Sequence, residues 1–210
     1  MKIVLLSKPK LDEHEIDVVK ALFENGLETY HIRKPRITTK QMKSVIDSIP
    51  QQFHNRIIIH SHHNLALKYN LKGVHYTKAH LQKTLKNWWR KITLGIAKTS
   101  LIKTVSHSKL VSLYDKQELD FDYVFLSPVF DSLSGKFQSG FHVDGIKAAI
   151  QKSGKKIIAR GGIDIKRLPQ IKELGFYGIA LNSCIWNSKE PIEEFHKIIE
   201  RCKELKIEID

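Results

Sequence analysis

Tyr123-Val124-Phe125-Leu126-Ser127-Pro128-Val129-Phe130 begins with four apolar residues in succession. A strand with one face in water alternates apolar and polar side chains. A strand of a parallel sheet, covered by helices on both faces, does not need to. Ile57-Ile58-Ile59 carries the same signature. Outward from these two runs one unit recurs about eight times: a short apolar run, a polar or glycine break, then a stretch with helical spacing. The expected strands are residues 3–7, 29–33, 56–61, 73–76, 92–97, 123–127, 156–160 and 177–181.

Helices are expected between them. Val18, Leu22 and Phe23 mark the first, ahead of Asn25-Gly26, and Met42, Val45, Ile46 and Ile49 mark the second, ahead of Pro50. In the last, Pro191 suits a first turn and Glu193 and Glu194 suit the positive end of the dipole. Ile192, Phe195, Ile199 and Cys202 share a face there. Residues 101–119 give no clear pattern. Eight units in 210 residues leave roughly 26 each, enough for a strand, a short helix and two tight loops. The reading is an α/β fold, a single (β/α)8 TIM barrel over residues 1–210, with an open doubly wound sheet as the rival.

Composition agrees with one core. At 41% hydrophobic the chain can bury one large interior and is slightly short for two, and its 11 Gly and 6 Pro are scattered, so no linker is marked. The apolar run Ile3-Val4-Leu5-Leu6 is far too short for a signal-peptide core or a membrane span. Cys184 and Cys202 make no disulfide framework, so a reducing cytoplasm is the expected compartment. The net charge of +13 points to a polyanionic or phosphate-bearing partner, because positive potential concentrates anions. The basic residues are spread along the chain and no nucleic-acid-binding motif is present, which argues against nucleic acid. A homo-oligomer is left open.

In such a barrel the chemistry lies on loops after the strands, and phosphate is commonly held after the seventh and eighth. Arg160-Gly161-Gly162-Ile163-Asp164 and Asn182-Ser183-Cys184 occupy those places. Glycines there would let an anion approach the main chain, and Gly162→Val is expected to block it while leaving the barrel folded. After the second strand, His31-Ile32-Arg33-Lys34-Pro35-Arg36 would aim His31 and Arg33 to one side as a cationic fork for pyrophosphate. After the sixth, Asp131-Ser132-Leu133-Ser134-Gly135-Lys136 is a polar loop able to close over a ligand. Six histidines, His54, His60, His62, His63, His75 and His80, crowd one stretch. A zinc site would need three or four to converge, and neither nearby cysteines nor an HExxH supports one. His60 is the best placed to face a ligand.

These ordered segments resemble thiamine phosphate synthase and its thiazole tautomerase relatives over nearly the whole chain. The likeness is carried by His31-Ile32-Arg33, Arg56-Ile57-Ile58-Ile59-His60 with Asn64-Leu65-Ala66-Leu67, Gly73-Val74-His75, Leu94-Gly95-Ile96, and Tyr123 through Phe130. Gly161-Gly162-Ile163, Gly175-Phe176-Tyr177-Gly178-Ile179-Ala180 and Ser183-Cys184-Ile185 complete it. The resemblance implies coupling of an aminopyrimidine methyl diphosphate to a thiazole phosphate, with release of pyrophosphate. A tautomerase-like isomerase and a non-catalytic binder of thiazole or thiamine phosphate are the alternatives.

Carried over, the resemblance gives Arg33 to the diphosphate and His60 to the place of a family asparagine near the pyrimidine and diphosphate, as catalytic residues together with Lys34; Lys34 or Arg36 could replace the family's loop lysine, which falls on Pro35. It gives Ser132, Ser134 and Lys136 to the sixth loop, and Gly161, Gly162, Asn182 and Ser183 to the thiazole phosphate, with His31 among the substrate-binding residues. It implies Mg2+ as cofactor, yet the family's two acidic metal positions fall here on Ser61 and His80. A serine after the fifth strand falls on Ala97, beside Lys98, and the tautomerase acid–base histidine falls on Pro128.

Overall fold

The computed structural model describes residues 1–77, 80, 100–114, 121–131 and 141–209. Eight strands close into a barrel in chain order. They are β1 Lys2–Leu6, β2 Tyr30–Ile32, β3 Ile57–Ile59, β4 Gly73–Tyr76, β5 Ile102–His107, β6 Tyr123–Leu126, β7 Ile157–Arg160 and β8 Gly178–Leu181. The helices are α1 Glu13–Glu24, α2 Thr39–Asp47, α3 Asn64–Lys68, α4 Val143–Ser153, α5 Leu168–Leu174, α6 Ser183–Trp186 and α7 Pro191–Glu204. Every residue of β2, β3, β4, β6 and β8 is buried, as strands of a parallel sheet covered on both faces are, and β2 and β4 each bury a histidine. Ile57, Ile58 and Ile59 are each 0% exposed, which contributes about 1.5–3 kcal/mol per side chain.

The chain gathers into two compact units, residues 7–105 and residues 1–6 with 106–210. In the first unit, α1 starts on Asp12, whose carboxylate accepts from the His14 amide, and α2 starts on a reciprocal box between Thr38 and Gln41. Phe23 of α1 stacks on Phe53 with ring centroids 5.0 Å apart. The Arg56 guanidinium sits 5.4 Å from the Phe53 ring and donates to the carbonyls of Phe23 and Leu27. In the second unit, β8 runs parallel to both β1 and β7, and β7 to β6. α4 and α5 end on Gly154 and Gly175 in the left-handed region.

Two expectations need correction. The fifth strand is Ile102–His107, pairing with β4 through Gly73–Ile102 and His75–Thr104, whereas the expected segment 92–97 lies outside the described residues. Lys103, Thr104, Ser106 and His107 interrupt the apolar character of the true strand, so it is hidden from a search for hydrophobic runs. On α7 the buried residues are Phe195, Ile198 and Cys202, with Ile192 and Ile199 only half-buried, so the inner face is turned slightly from the expected one. Among the described residues, no helix is long and apolar enough to cross a membrane.

Candidate active site

In the unit of residues 7–105 the strand ends carry most of the unusual chemistry. Register explains why. His31 pairs with Ile58, Ile58 with Gly73, and His75 with Thr104. Residues two apart on a strand share a face, so His31, His60, His75 and Thr104 fall on one face of this sheet. Tyr30, one residue earlier, points the other way and donates to Glu15 of α1 at 2.9 Å. His31 Nδ1 lies 3.0 Å from His60 Nε2, and His75 Nδ1 lies 2.8 Å from Thr104 Oγ1. The rings of His60 and His75 stack with centroids 4.0 Å apart. One nitrogen from each of His31, His60 and His75 can be chosen so that all three lie within 4.8 Å of one another.

Arg33 and Lys34 follow β2 and diverge. Arg33 is exposed, its amide donates to Ser7 Oγ at 2.8 Å, and its guanidinium holds no ion pair among the described residues. Lys34 is buried against Glu15 at 2.5 Å, and its ammonium also donates to the carbonyls of Lys8 and Lys10. Lys34 therefore ties the segment after β2 to the segment after β1. Arg36 is exposed at a φ of 62°.

The other histidines of the crowded stretch have separate partners. His54 lies within hydrogen-bond distance of the carbonyls of Ile46, Ile49 and Tyr69. His62 meets the Ile37 carbonyl and Thr39 Oγ1. His63 Nε2 meets the carbonyl of His75.

In the unit of residues 1–6 and 106–210, the segment after β6 is stitched to the end of β7. Val129 N–H donates to the Arg160 carbonyl at 2.9 Å, and Phe130 N–H to the Gly161 carbonyl at 3.2 Å. Gly161 and Gly162 have φ of 95° and 64°. A Cβ on Gly161 would lie 2.7 Å from the Pro128 Cβ, and one on Gly162 would lie 2.8 Å from the Phe130 Cβ and 2.9 Å from its carbonyl oxygen. These glycines are demanded by close packing as well as by their dihedrals. Gly162→Val is therefore not the harmless blocker expected from sequence, because its methyls meet the backbone of Phe130.

After β8, the Asn182 amide donates to the Leu6 carbonyl at 3.2 Å and the Trp186 indole N–H to the same oxygen at 2.7 Å. Ser183 is exposed at the start of α6. Burial raises the neighbouring Cys184 thiol to about 11, which disfavours its thiolate. Ser132, Ser134, Lys136, Ala97 and Lys98 lie outside the described residues. With the fifth strand at Ile102–His107, the hydroxyls at its end are Ser106 and Ser108, so the alignment to Ala97 does not follow the observed strand.

The donor set also bears on the metal that the resemblance implies. Magnesium takes hard oxygen ligands, usually carboxylates. The positions in question are a serine hydroxyl, Ser61, and His80, whose Nδ1 accepts from the Thr77 amide at 3.3 Å. Glu15, the buried carboxylate among the described residues, is paired with Lys34. These residues do not fit a magnesium diphosphate site.

An eight-stranded parallel barrel closed in chain order, with glycine turns at its strand ends, places the chain in the class of (β/α)8 barrel proteins. The thiamine monophosphate synthase family model, TMP-TENI, matches residues 3–185, and the chain belongs to that family, whose thiamine-phosphate synthases are transferases.

The chain is 24% identical to the thiamine-phosphate synthase of Vibrio campbellii, covering 83% of this chain and 84% of that one. It is 22% identical to that of Pyrococcus abyssi, covering 95% of each. Against the synthase of Synechococcus sp. WH7803 it is 24% identical over 95% of its own length, but it spans only 56% of that protein. Among solved structures it is similar to a thiamine phosphate pyrophosphorylase from Bacteroides thetaiotaomicron, at a TM-score of 0.76 and 24% identity over 97% of this chain and 98% of that one. A second, from Pyrococcus furiosus, has a TM-score of 0.74 at 16% identity over 97% and 96%. The structural likenesses carry the fold alone.

Proposed function

We propose that this chain couples an aminopyrimidine methyl diphosphate to a thiazole phosphate, giving thiamine phosphate and pyrophosphate. Family membership over residues 3–185 is the observation that carries this reading. In the reaction the methylene–oxygen bond to the diphosphate breaks, its electron pair leaves with pyrophosphate, and the thiazole nitrogen forms the new carbon–nitrogen bond. The pyrimidine spreads the positive charge of the methylene, so the protein's main task is to bind two anions and stabilise the leaving group.

Arg33 takes the diphosphate: it is exposed directly after β2, and among the described residues its guanidinium is not spent on an ion pair. Lys34 acts as a positioning residue, holding the Arg33 segment through Glu15 and the carbonyls after β1. His31 and His60 face the pyrimidine side. Gly161, Gly162 and Ser183 receive the thiazole phosphate and Asn182 shapes that turn through Leu6; Ser132, Ser134 and Lys136, outside the described residues, are given to substrate binding by the resemblance alone. No step is routed through magnesium, since the residues at its expected positions do not suit it. Both cysteines are free thiols, which supports a reducing, cytoplasmic setting.

Arg33→Ala tests the reading. Loss of one charge-assisted contact of about 2 kcal/mol should raise KM for the pyrimidine diphosphate roughly 30-fold and leave KM for the thiazole phosphate near its original value. Unchanged kinetics would remove Arg33 from the site. Proton shift within the thiazole without coupling would assign the isomerase instead, and tight binding without turnover a silent barrel.

A further inference from the structure

Three adjacent strands of the 7–105 unit each deliver one imidazole to the same face. His31 stands on β2, His60 directly after β3 and His75 on β4, at 0%, 7% and 3% exposure. Burying three polar rings together is costly unless each is engaged, so their register is a feature to be explained. We infer that His31, His60 and His75 form a binding site for a borderline transition-metal dication, with zinc as the reference ion. The site shares His31 and His60 with the pyrimidine side of the reading above, and its test reads bound metal rather than coupling, so either reading can fail without the other.

The chemistry of the donors selects the ion. Neutral imidazole nitrogen suits Zn2+, Co2+, Ni2+, Cu2+ and Fe2+ and is a poor partner for Mg2+ or Ca2+. A tetrahedral zinc site with metal–nitrogen bonds of about 2.0–2.1 Å places its nitrogens roughly 3.3 Å apart. His31 Nδ1 and His60 Nε2 are 3.0 Å apart, and one nitrogen from each of the three rings can be chosen so that all lie within 4.8 Å of one another, so ring rotation closes the set. His60 and His75 must turn out of their stack to converge.

The surroundings support the same assignment. His75 Nδ1 lies 2.8 Å from Thr104 Oγ1; in the tautomer whose Nδ1–H donates to the hydroxyl, Nε2 is left with the lone pair that a metal requires. Outer partners of this kind fix the tautomer and ring orientation of metal-binding histidines. The proton shared between His31 and His60 moves to the far nitrogen of its own ring when the metal enters, so neutral rings need release none. Three protein ligands leave a fourth position open for water or a ligand oxygen. The glutamate nearest in kind, Glu15, lies beyond the opposite face with Tyr30 and takes no part.

The test begins with the full chain stripped by chelator and dialysed against a slight excess of Zn2+ or Co2+. Bound metal is then counted by mass spectrometry of the native protein, and the Co2+ form is read by its visible absorption. The inference predicts one equivalent bound, an intense tetrahedral Co2+ spectrum, and loss of both in His60→Gln and His75→Gln, with His14→Gln unchanged. Circular dichroism checks that each variant folds. Should a buried variant fail to fold, zinc-edge X-ray absorption of the unaltered protein decides: three imidazole nitrogens near 2.0 Å are expected. Failure to retain metal, retention by the folded cluster variants, or a shell of oxygen ligands would overturn the site and leave a hydrogen-bond network only.

Discussion

Glu15 and Lys34 illustrate how single residues set up this barrel. Both side chains are almost fully buried, at 1% and 3% exposure, and each cancels the charge of the other. A sequence reading sees Lys34 beside Arg33 and gives both to an anion, because nothing in Arg33-Lys34-Pro35-Arg36 says which cation turns inward. Removing one partner of a buried pair strands the other, so Lys34→Met should destabilise the protein by about 3–5 kcal/mol in denaturant unfolding. The double variant Glu15→Gln with Lys34→Met should recover most of that loss.

Tyr30 adds a pH dependence. Its burial, with the Glu15 carboxylate as the second cause, pushes the phenol well above its ordinary value of 10.0. Between those values the unfolded chain sheds a proton that the folded chain keeps. The stability tied to Tyr30 is therefore full below pH 10 and declines as pH rises through the interval toward the folded value. Tyr123, raised by burial and then by Asp122, acts in the same direction. Denaturant midpoints at about pH 9 and pH 11 should differ less in Tyr30→Phe than in the unaltered chain.

Elements were legible where hydrophobic pattern and fold agree. Seven of the eight strands fall at their expected places because continuous apolar runs such as Ile57-Ile58-Ile59 suit a sheet covered on both faces. The fifth is hidden because Lys103, Thr104, Ser106 and His107 break its apolar run, Thr104 lying on the face of the histidines within hydrogen-bond distance of His75. That bond is measurable: Thr104→Val keeps the shape but removes the partner of His75, and should cost about 1–2 kcal/mol of unfolding free energy. The histidine cluster was hidden for a related reason. His31 stands far in sequence from His60 and His75, and only the register of β2, β3 and β4 brings the three together. Counting that register from the strand ends was the signal available. The close packing of the glycine pair after β7 against Pro128 and Phe130 is a second demand on these positions, set by contacts that no local pattern reveals.

At the scale of the whole molecule, closure of eight parallel strands and a charge of +13 agree with a protein that captures anionic substrates. The central claim is that this barrel makes a carbon–nitrogen bond between two phosphorylated heterocycles. The most direct measurement mixes purified protein with the pyrimidine diphosphate and the thiazole phosphate and follows thiamine phosphate and pyrophosphate together. The account predicts that both products appear in equal amounts, over many turnovers per chain, and that Arg33→Ala slows them at low pyrimidine concentration. Folded protein that binds either substrate but yields neither product would contradict it.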